Sequence, residues 1–450
     1  MKFLNKQFTQ ETLKLALPVM LTQVGQVSVN LFDNIIVGKL LGAKALAAVS
    51  LGNAMFFSIF IFGLGFSLAI PPLVSEAHSQ HDHNRINSIF RHGFVVNIIL
   101  AFVLMLLIFG IIPLMPYLNQ PKEILPDTIT FLSIVTLSII PFMIFQTMRE
   151  VSEGLSFTIG VTKATIFANV INVILNYVFI EHFKMGVAGS AWATFIARVA
   201  MMVFLYYVLI KEEKTRRYIK DFSRKIKDFT KEMFEKLIRL GFPTALQLFF
   251  EVTAFAGAAF ICGLISAKDI AAHQIALSMA SFTFNLCVGF SVASTVMIGR
   301  KLGEKDFVNL EKVGFNNLKI AFIFMLMCGL VFILGKDVLP TFFTKKEDIA
   351  VVELASQLMI IAALFQLSDG IQVTALGCLR GIQDVKIPSI LTFIAYWVIA
   401  IPLGYYLTVP MKMGAFGMWI ALGIGLTISA VLLVIRFRNL SEKRIKAQSN

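Results

Sequence analysis

Twelve apolar runs constrain the fold of this chain more than any other feature of its sequence, because each is long enough to cross the hydrocarbon core of a membrane as a helix. Only 15% of the 450 residues are charged, far below the roughly 25% of a soluble domain. The sequence therefore predicts an all-α polytopic membrane protein and argues against a soluble enzyme. Its twelve transmembrane helices are predicted at 13–36, 46–74, 89–114, 129–150, 162–181, 187–210, 236–262, 272–298, 316–336, 349–376, 387–408 and 414–435.

Lysine and arginine are unevenly distributed between the loops on the two sides of the predicted membrane. Of the 40 Lys and Arg residues, 28 fall on the side of the N-terminus, 9 on the opposite side and 3 inside helices. Loops rich in positive charge stay in the cytoplasm, so both termini are predicted to be cytoplasmic. The net charge of +13 then reflects topology, and no nucleic-acid partner is expected. We predict a multi-pass protein of the inner (cytoplasmic) membrane of a bacterium, without a cleavable signal peptide.

An internal repeat divides the chain into two halves of six predicted helices each. Pro18 matches Pro243 within LKLALPVMLTQ and IRLGFPTALQL, and Gly154 matches Gly377 at the start of GLSFTIGVTKA and GCLRGIQDVKI. Two further blocks, which begin at residues 42 and 186, match blocks that begin at residues 266 and 414. Four matches in the same order, at offsets between 223 and 228 residues, indicate a duplication.

The even number of helices in each half gives both halves the same orientation. The sequence thus predicts two six-helix bundles related by a pseudo-two-fold axis along the membrane normal. The predicted domains are an N-lobe (1–210), a basic cytoplasmic linker (211–235), a C-lobe (236–436) and a basic cytoplasmic tail (437–450). Apolar residues recur at helical spacing among the basic residues of the linker, which predicts either an amphipathic helix on anionic lipid or a solvated connector.

Asp33 is the one carboxylate between Glu11 and Glu76, in an apolar helix where a bare charge is costly. Asn172 and Asn176 lie four residues apart, so their side chains share one helix face. Carboxylate and amide oxygens together suit a hard cation such as Na⁺, and a carboxylate alone suits a proton. The structural alternative is a polar clamp between helices. We favour a cation site.

Two further acids lie inside predicted helices of the second half. Glu251 stands in the apolar segment LFFEVTAFAG, and Asp369 has polar neighbours such as Gln372. An ionisable residue inside the membrane is a candidate for ion coupling, and reversible protonation of Glu251 fits its apolar setting. The alternative for each is a buried acid that only tunes packing. The repeat pairs neither acid with Asp33, so the two halves are not functionally equivalent.

These segments together resemble the multidrug and toxic compound extrusion (MATE) family, and most closely its NorM-type branch, over nearly the whole chain. The resemblance is carried in the first half by NLFDNIIVG, ANVINVILNYVFI and GVAGSAWAT. In the second half it is carried by FPTALQLFFEVTAF, DIAAHQIALSM, ASTVMIGRKLGE and LSDGIQVTALGCLRGIQD. It implies the export of organic, often cationic, compounds, driven by inward flow of Na⁺ or H⁺.

The resemblance also implies roles for individual residues. The N-lobe cation site is assigned to Asp33, Asn172, Asn176 and Thr194, and cation coupling in the C-lobe to Glu251 and Asp369. An amide at Asn176, in place of an acid, is typical of the NorM-type branch.

The chain departs from the family where relatives often carry a hydroxylated aromatic residue. Phe284 and Phe365 stand at these positions, which leaves the details of the C-lobe site open. Both are candidates for lining a cavity that accepts hydrophobic cations. Pro18 and Pro243 are hinge candidates, with a static kink as the alternative. Arg198, inside the sixth predicted helix, has no partner that the sequence reveals.

The sequence thus predicts a secondary active multidrug antiporter, not an enzyme, that works by rocking of two lobes. Its partners are hydrophobic or cationic small molecules and the lipid bilayer, and a monomer is expected. No cofactor is expected, and no metal beyond a possible Na⁺. The alternative is a lipid-linked oligosaccharide or lipid flippase of the same wider superfamily. Such a protein needs basic residues in its cavity, and Arg198 alone among the arginines is predicted well inside a helix.

Overall fold

The computed structural model describes residues 4–117, 121–221, 229–343 and 349–449, most of which are helical. Eleven helices are long and apolar enough to cross a membrane, and a bent pair brings the number to twelve. Each of the twelve predicted spans coincides with one of them, which confirms the predicted fold class. They are α1 (Lys6–Leu41), α2 (Ala43–Ser79), α3 (His83–Tyr117), α4 (Leu125–Leu137 and Ile139–Gly154), α5 (Ile159–His182), α6 (Gly186–Lys211), α7 (Lys231–Gly263), α8 (Ala267–Gly303), α9 (Phe307–Gly335), α10 (Ile349–Gly381), α11 (Lys386–Thr408) and α12 (Gly414–Ser449).

Most of these helices extend beyond the apolar runs that predicted them. Helix α1 already begins at Lys6, since polar residues continue its hydrogen-bond ladder beyond the apolar stretch. Side chains cap several of the helix starts: Asp82 accepts from Arg85 N at 2.9 Å before α3, and Asn5, Ser266 and Asp306 act in the same way before α1, α8 and α9. Hydropathy therefore located the spans but underestimated the lengths of the helices.

Prolines account for the two main helix breaks. Helix α4 bends by 42° between Leu137 and Ile139. The ring of Pro141 clashes with the carbonyl group four residues earlier, at Leu137, and its nitrogen donates no hydrogen bond. In α2 the regular helix ends at Ser67, four residues before Pro71, and resumes at Ile70. Pro18 and Pro243, by contrast, lie within continuous helices.

Two compact units make up the chain. The N-unit comprises Leu21–Ala245, and the C-unit comprises Met1–Met20 together with Leu246–Asn450. The division falls two residues after Pro18 in α1 and two residues after Pro243 in α7. The first turns of α1 and of α7 therefore belong to a different unit from the rest of the same helix. The sequence instead predicted that the chain divides at the linker. The lobe boundaries derived from the repeat stay a prediction.

Contacts within each unit explain this assignment. In the C-unit, the first part of α1 is tied to α9 by a 2.6 Å hydrogen bond from Thr12 Oγ1 to Asn317 Oδ1, and to α8 by the Arg300–Glu11 ion pair at 2.8 Å. In the N-unit, the backbone nitrogen of Thr230, next to the start of α7, donates to the buried His92 of α3 at 2.9 Å. Polar side chains thus bind the start of α1 to the C-unit and the start of α7 to the N-unit.

The linker contributes a short helix, Glu213–Asp221, to the N-unit. Its Tyr218 is buried, and the Tyr218 hydroxyl lies 2.8 Å from His83 Nδ1 at the start of α3. Residues 222–228, in the middle of the predicted amphipathic segment, lie outside the described residues. The interaction of the linker with lipid stays a prediction.

Repeat-related glycines mark close helix contacts in both units. A Cβ atom on Gly377 would lie 2.3 Å from the backbone oxygen of Ser291, and one on Gly154 would lie 2.7 Å from Val74 Cβ. Helices in lipid associate through such small residues because backbones can then approach closely. The match between Gly154 and Gly377 thus reflects a packing requirement that each unit meets separately.

Gly377→Ala should lower the thermal unfolding midpoint of the purified protein, because the neighbouring backbone on α8 cannot yield. Overpacking of this kind costs roughly 1–3 kcal/mol. The matched control is Gly423→Ala in α12, where a Cβ would meet nothing within 4 Å, so the midpoint should stay or rise slightly. Equal midpoints for the two variants in detergent would contradict the close contact.

Candidate functional site

The predicted N-lobe residues meet inside the N-unit. Asp33 of α1 is buried, and its Oδ1 accepts a hydrogen bond of 2.7 Å from Asn176 Nδ2 of α5. The same amide nitrogen lies 3.4 Å from Asn172 Oδ1, one turn earlier. The i, i+4 spacing thus turns both amides toward the acid, and the structure brings these three residues together as the sequence predicts.

An oxygen atom in this group has no partner. Asn176 Oδ1 is buried and accepts no hydrogen bond from any described residue. A buried acceptor normally finds a donor or a cation. Rotation of the Asn176 amide about its last side-chain bond would turn this oxygen toward Asp33, and oxygen atoms of Asp33, Asn172 and Asn176 would then suit a hard cation.

Thr194 lies on α6 and is half-buried. No hydrogen bond joins its hydroxyl to Asp33 in the described part of the chain. The structure brings Thr194 to the N-unit but not into the hydrogen-bonded group, and its role at a cation site stays a prediction.

Arg198, one turn after Thr194, has partners that sequence reasoning missed. Its guanidinium carbon lies 4.7 Å from the ring centre of Phe56 and 5.0 Å from that of Phe142. Its Nη1 donates to Ser138 Oγ at 2.6 Å, at the bend of α4. An arginine alone in an apolar helix was the available signal, but its partners lie on other helices.

The C-unit holds a second buried polar centre around Glu251 of α7 and Asp369 of α10. Glu251 is 6% exposed and Asp369 4% exposed, and Asp369 lies one turn before Gln372 on α10. Gln372 Nε2 lies 3.4 Å from Glu251 Oε1, and Tyr396 OH donates to Gln372 Oε1 at 3.3 Å. The two predicted acids thus share one centre, as the resemblance implies.

Tyr396 is the residue of this centre that sequence reasoning missed. It is fully buried and lies in a π-helical segment of α11, Ile394–Ala400. Such segments often occur at functional sites. Its hydroxyl supplies the polar aromatic group that is absent at Phe284 and Phe365. The polar aromatic group of this centre therefore comes from α11, whereas Phe284 and Phe365 lie on α8 and α10.

The two phenylalanines have different surroundings. Phe365 is buried among aromatic side chains, with its ring centre 5.5 Å from that of Trp419 and 6.2 Å from that of Phe255. Phe284 is half-buried at the edge of the core around α8. Their predicted part in a substrate cavity stays a prediction.

Arg198 stays the one arginine well inside a predicted span, but burial near helix ends involves further arginines. Arg91, Arg149 and Arg380 are also buried within helices. They belong to helix ends that continue beyond the apolar runs, and polar partners accompany them. Arg149 forms a 2.7 Å ion pair with Glu153, and Arg380 donates to Ser291 Oγ at 3.0 Å.

No three His, Cys, Asp or Glu side chains lie close enough for a transition-metal site in the described ranges. The two polar centres rest instead on carboxylates and amides, which suit an alkali cation or a proton.

Comparison with known families and proteins gives a consistent result. The MatE family matches residues 18–178 and again residues 243–406. The two matched segments begin at Pro18 and Pro243, so the family unit occurs once in each half. This agrees with the internal repeat.

Similar proteins extend over the whole chain. A protein described as probable multidrug resistance protein NorM, from Agrobacterium fabrum, is 34% identical over 97% of this chain and 94% of its own length. The multidrug resistance protein NorM of Photobacterium profundum is 31% identical over 96% of this chain and 95% of its length. The multidrug resistance protein MdtK of Yersinia pseudotuberculosis is 29% identical, with shares of 96% and 95%.

Solved structures show the same fold. A crystal structure of MATE in the bent conformation has a TM-score of 0.90, with 19% identity over 98% of this chain and 97% of that one. An outward-facing multidrug resistance MATE family transporter has a TM-score of 0.88, with 20% identity, and shares of 97% and 96%. At these identities the likeness concerns the fold.

A double-mutant cycle tests the hydrogen-bonded chain from Tyr396 to Glu251. Tyr396→Phe should destabilise the protein by about 0.6 kcal/mol, a typical value for a polar contact between membrane helices. Gln372→Leu should lower the free energy of unfolding by more, because it leaves the Glu251 carboxyl and the Tyr396 hydroxyl buried without this hydrogen-bond partner. The double variant with Tyr396→Phe and Gln372→Leu should then be more stable than Gln372→Leu alone, since the unpaired Tyr396 hydroxyl is removed.

Unfolding free energy in mixed detergent micelles is the measurement. Tyr405→Phe, on an exposed position of α11, is the matched control and should be neutral. Additive losses from Tyr396→Phe and Gln372→Leu would show that the two side chains do not interact.

Proposed function

Because this chain belongs to the MatE family, we propose that it is a secondary active multidrug efflux transporter that exchanges organic, often cationic, compounds for Na⁺ or H⁺. The observation that carries the proposal is the pair of buried acidic centres, one in each compact unit, around Asp33 and around Glu251 and Asp369. The relatives described as multidrug resistance proteins support the substrate class. We place the protein in the inner membrane of a bacterium, where it acts as a monomer.

Each centre can hold a cation through its own oxygen atoms. In the N-unit the candidate ligands are Asp33, Asn172 and Asn176, and in the C-unit they are Glu251 and Asp369 with the amide of Gln372. A bound Na⁺ or proton neutralises a carboxylate. This lowers the free energy of enclosing the centre in an apolar bundle. A cationic substrate cannot share a carboxylate that is already neutralised, so ion entry and substrate exit are coupled.

Exchange of this kind needs two conformations with different affinities. In two-bundle transporters these arise from rocking of the bundles. Helices α1 and α7 each pass from one compact unit to the other shortly after a proline. A proline removes one hydrogen bond from the helix ladder, so Pro18 and Pro243 are suited to act as hinges between the units.

Ethidium transport into liposomes that contain the purified protein tests the proposal under separately imposed Na⁺ and proton gradients. One of the two gradients should drive transport. Glu251→Gln and Asp369→Asn should each lower the driven rate at least about tenfold, which corresponds to 1.4 kcal/mol, because an amide cannot exchange charge with the coupling ion. Asp33→Asn is measured beside them.

Glu181→Gln is the matched control, because the side chain of Glu181 is 45% exposed and pairs with Lys184 at 3.1 Å. It should transport as the unmodified protein does. Absence of transport under both gradients would refute the antiporter. Movement of a fluorescent lipid between leaflets without gradient-driven dye transport would instead favour the flippase.

A further inference from the structure

A crevice of about 340 Å³ lies between α11 and α12, both of which belong to the C-unit. Its lining includes Ile387 and Leu391 of α11 and Leu432, Arg436, Asn439 and Lys443 of α12. The apolar side chains of Ile387 and Leu432 are exposed, as lipid-facing side chains of a membrane protein are. The crevice therefore combines an apolar part with a polar part, and one occupant has to satisfy both.

The crevice residues of α12 form one stripe that changes from apolar to basic along the helix. Leu432, Arg436, Asn439 and Lys443 follow one another at spacings of three or four residues, which places them on one helix face. The adjacent face is fixed, because Phe437 is fully buried in the C-unit core. From Leu432 to Lys443 the helix rises by about 16 Å. A molecule that lies along this stripe meets apolar side chains at one end and basic groups at the other.

The polar end of the stripe holds two cationic groups with different partners. Arg436 donates to both carboxylate oxygens of Asp384, with Nη2 2.9 Å from Oδ1, and this two-point bond fixes the guanidinium plane. Its Nη1 makes no hydrogen bond within the described residues and can donate into the crevice. Lys443 is exposed, and no carboxylate of the described ranges pairs with it. Since Asp384 balances Arg436, the charge of Lys443 leaves the crevice positive and favours an anionic occupant.

The internal repeat shows that the corresponding space in the N-unit is occupied by the protein itself. The match of Gly154 with Gly377 relates Phe167 to Ile390, and the match of the blocks that begin at residues 186 and 414 relates Phe204 to Leu432. The rings of Phe167 and Phe204 stack between α5 and α6, with their centres 4.5 Å apart. Aliphatic side chains replace both rings in the C-unit. The open crevice is thus a feature in which the second half has diverged from the first.

We propose that this crevice binds an anionic phospholipid, with the lipid phosphate on Arg436, Asn439 and Lys443 and an acyl chain along Leu391 and Leu432. The excess of Lys and Arg predicts that this end of α12 faces the cytoplasm. The cytoplasmic membrane surface is negative, and basic pockets between transmembrane helices on that side bind anionic headgroups. The site lies apart from the buried acids of the C-unit, so it does not depend on the proposed transport function.

Native mass spectrometry of the purified protein tests this with two lipids that carry the same acyl chains, dioleoyl phosphatidylglycerol and dioleoyl phosphatidylcholine. The affinity is taken from the fraction of protein that retains one lipid during a titration. The anionic lipid should bind more tightly. Lys443→Gln should lower its affinity about fivefold, the usual effect of one basic residue beside an anionic lipid. It should leave the affinity for phosphatidylcholine unchanged. Equal affinities of the unmodified protein for the two lipids would overturn the proposal.

A second variant fills the crevice and keeps every charge. Ile390→Phe together with Leu432→Phe copies the ring pair of Phe167 and Phe204, and both substituted positions are exposed and tolerant of larger side chains. This double variant should lower the affinity for both lipids, because the acyl chain loses its place. Unchanged binding of phosphatidylglycerol would show that no chain lies in the crevice and would refute the site.

Lys312→Gln is the matched control, because Lys312 is an exposed lysine of α9 that does not line the crevice. It should bind phosphatidylglycerol as the unmodified protein does. Equal losses from Lys312→Gln and Lys443→Gln would mean that the lipid responds to net charge alone, which contradicts a specific site. Displacement of the lipid by inorganic phosphate would assign the basic groups to a free anion and would also overturn the proposal. Dye transport plays no part in these measurements, so failure of the antiporter leaves them interpretable.

Discussion

A charge enclosed in an apolar helix bundle has to be matched inside the same bundle, because lipid offers neither water nor counter-ions. Both polar centres of this protein follow from that constraint. Asp33 is matched by the amide of Asn176. Glu251 is matched by an amide that is itself bonded to a tyrosine hydroxyl. In each case a partner comes from a helix distant in sequence, so the acids also fix how the helices of a unit are rotated.

The same constraint applies to the backbone. Helices that lose a hydrogen bond at a proline either bend, as α4 does before Pro141, or break, as α2 does before Pro71. Irregular helix geometry is tolerated where protein surrounds it. The bend of α4 lies at Ser138, whose hydroxyl accepts from Arg198. In α11 the π-helical segment carries Tyr396 into the C-unit centre. Departures from regular helix therefore coincide with the polar centres.

The two halves share an architecture but differ in chemistry. Repeat-related glycines, such as Gly154 and Gly377, permit close helix contacts in both units. The acids, in contrast, are placed on different helix positions. Duplication thus supplied two similar packing frames, and divergence of a few buried side chains gave them unequal electrostatics.

The sequence by itself determined the number of spans, the duplication and the residues of the N-unit acid group. Hydropathy decides membrane insertion locally, and the i, i+4 spacing of Asn172 and Asn176 puts both on one helix face. Only the tertiary structure decided that Arg198 lies between Phe56 and Phe142, that Tyr396 joins Gln372, and that α1 and α7 divide between units. These features depend on helix rotation and on contacts between residues far apart in the chain. Periodicity gives the face of a helix but not the neighbour that the face meets.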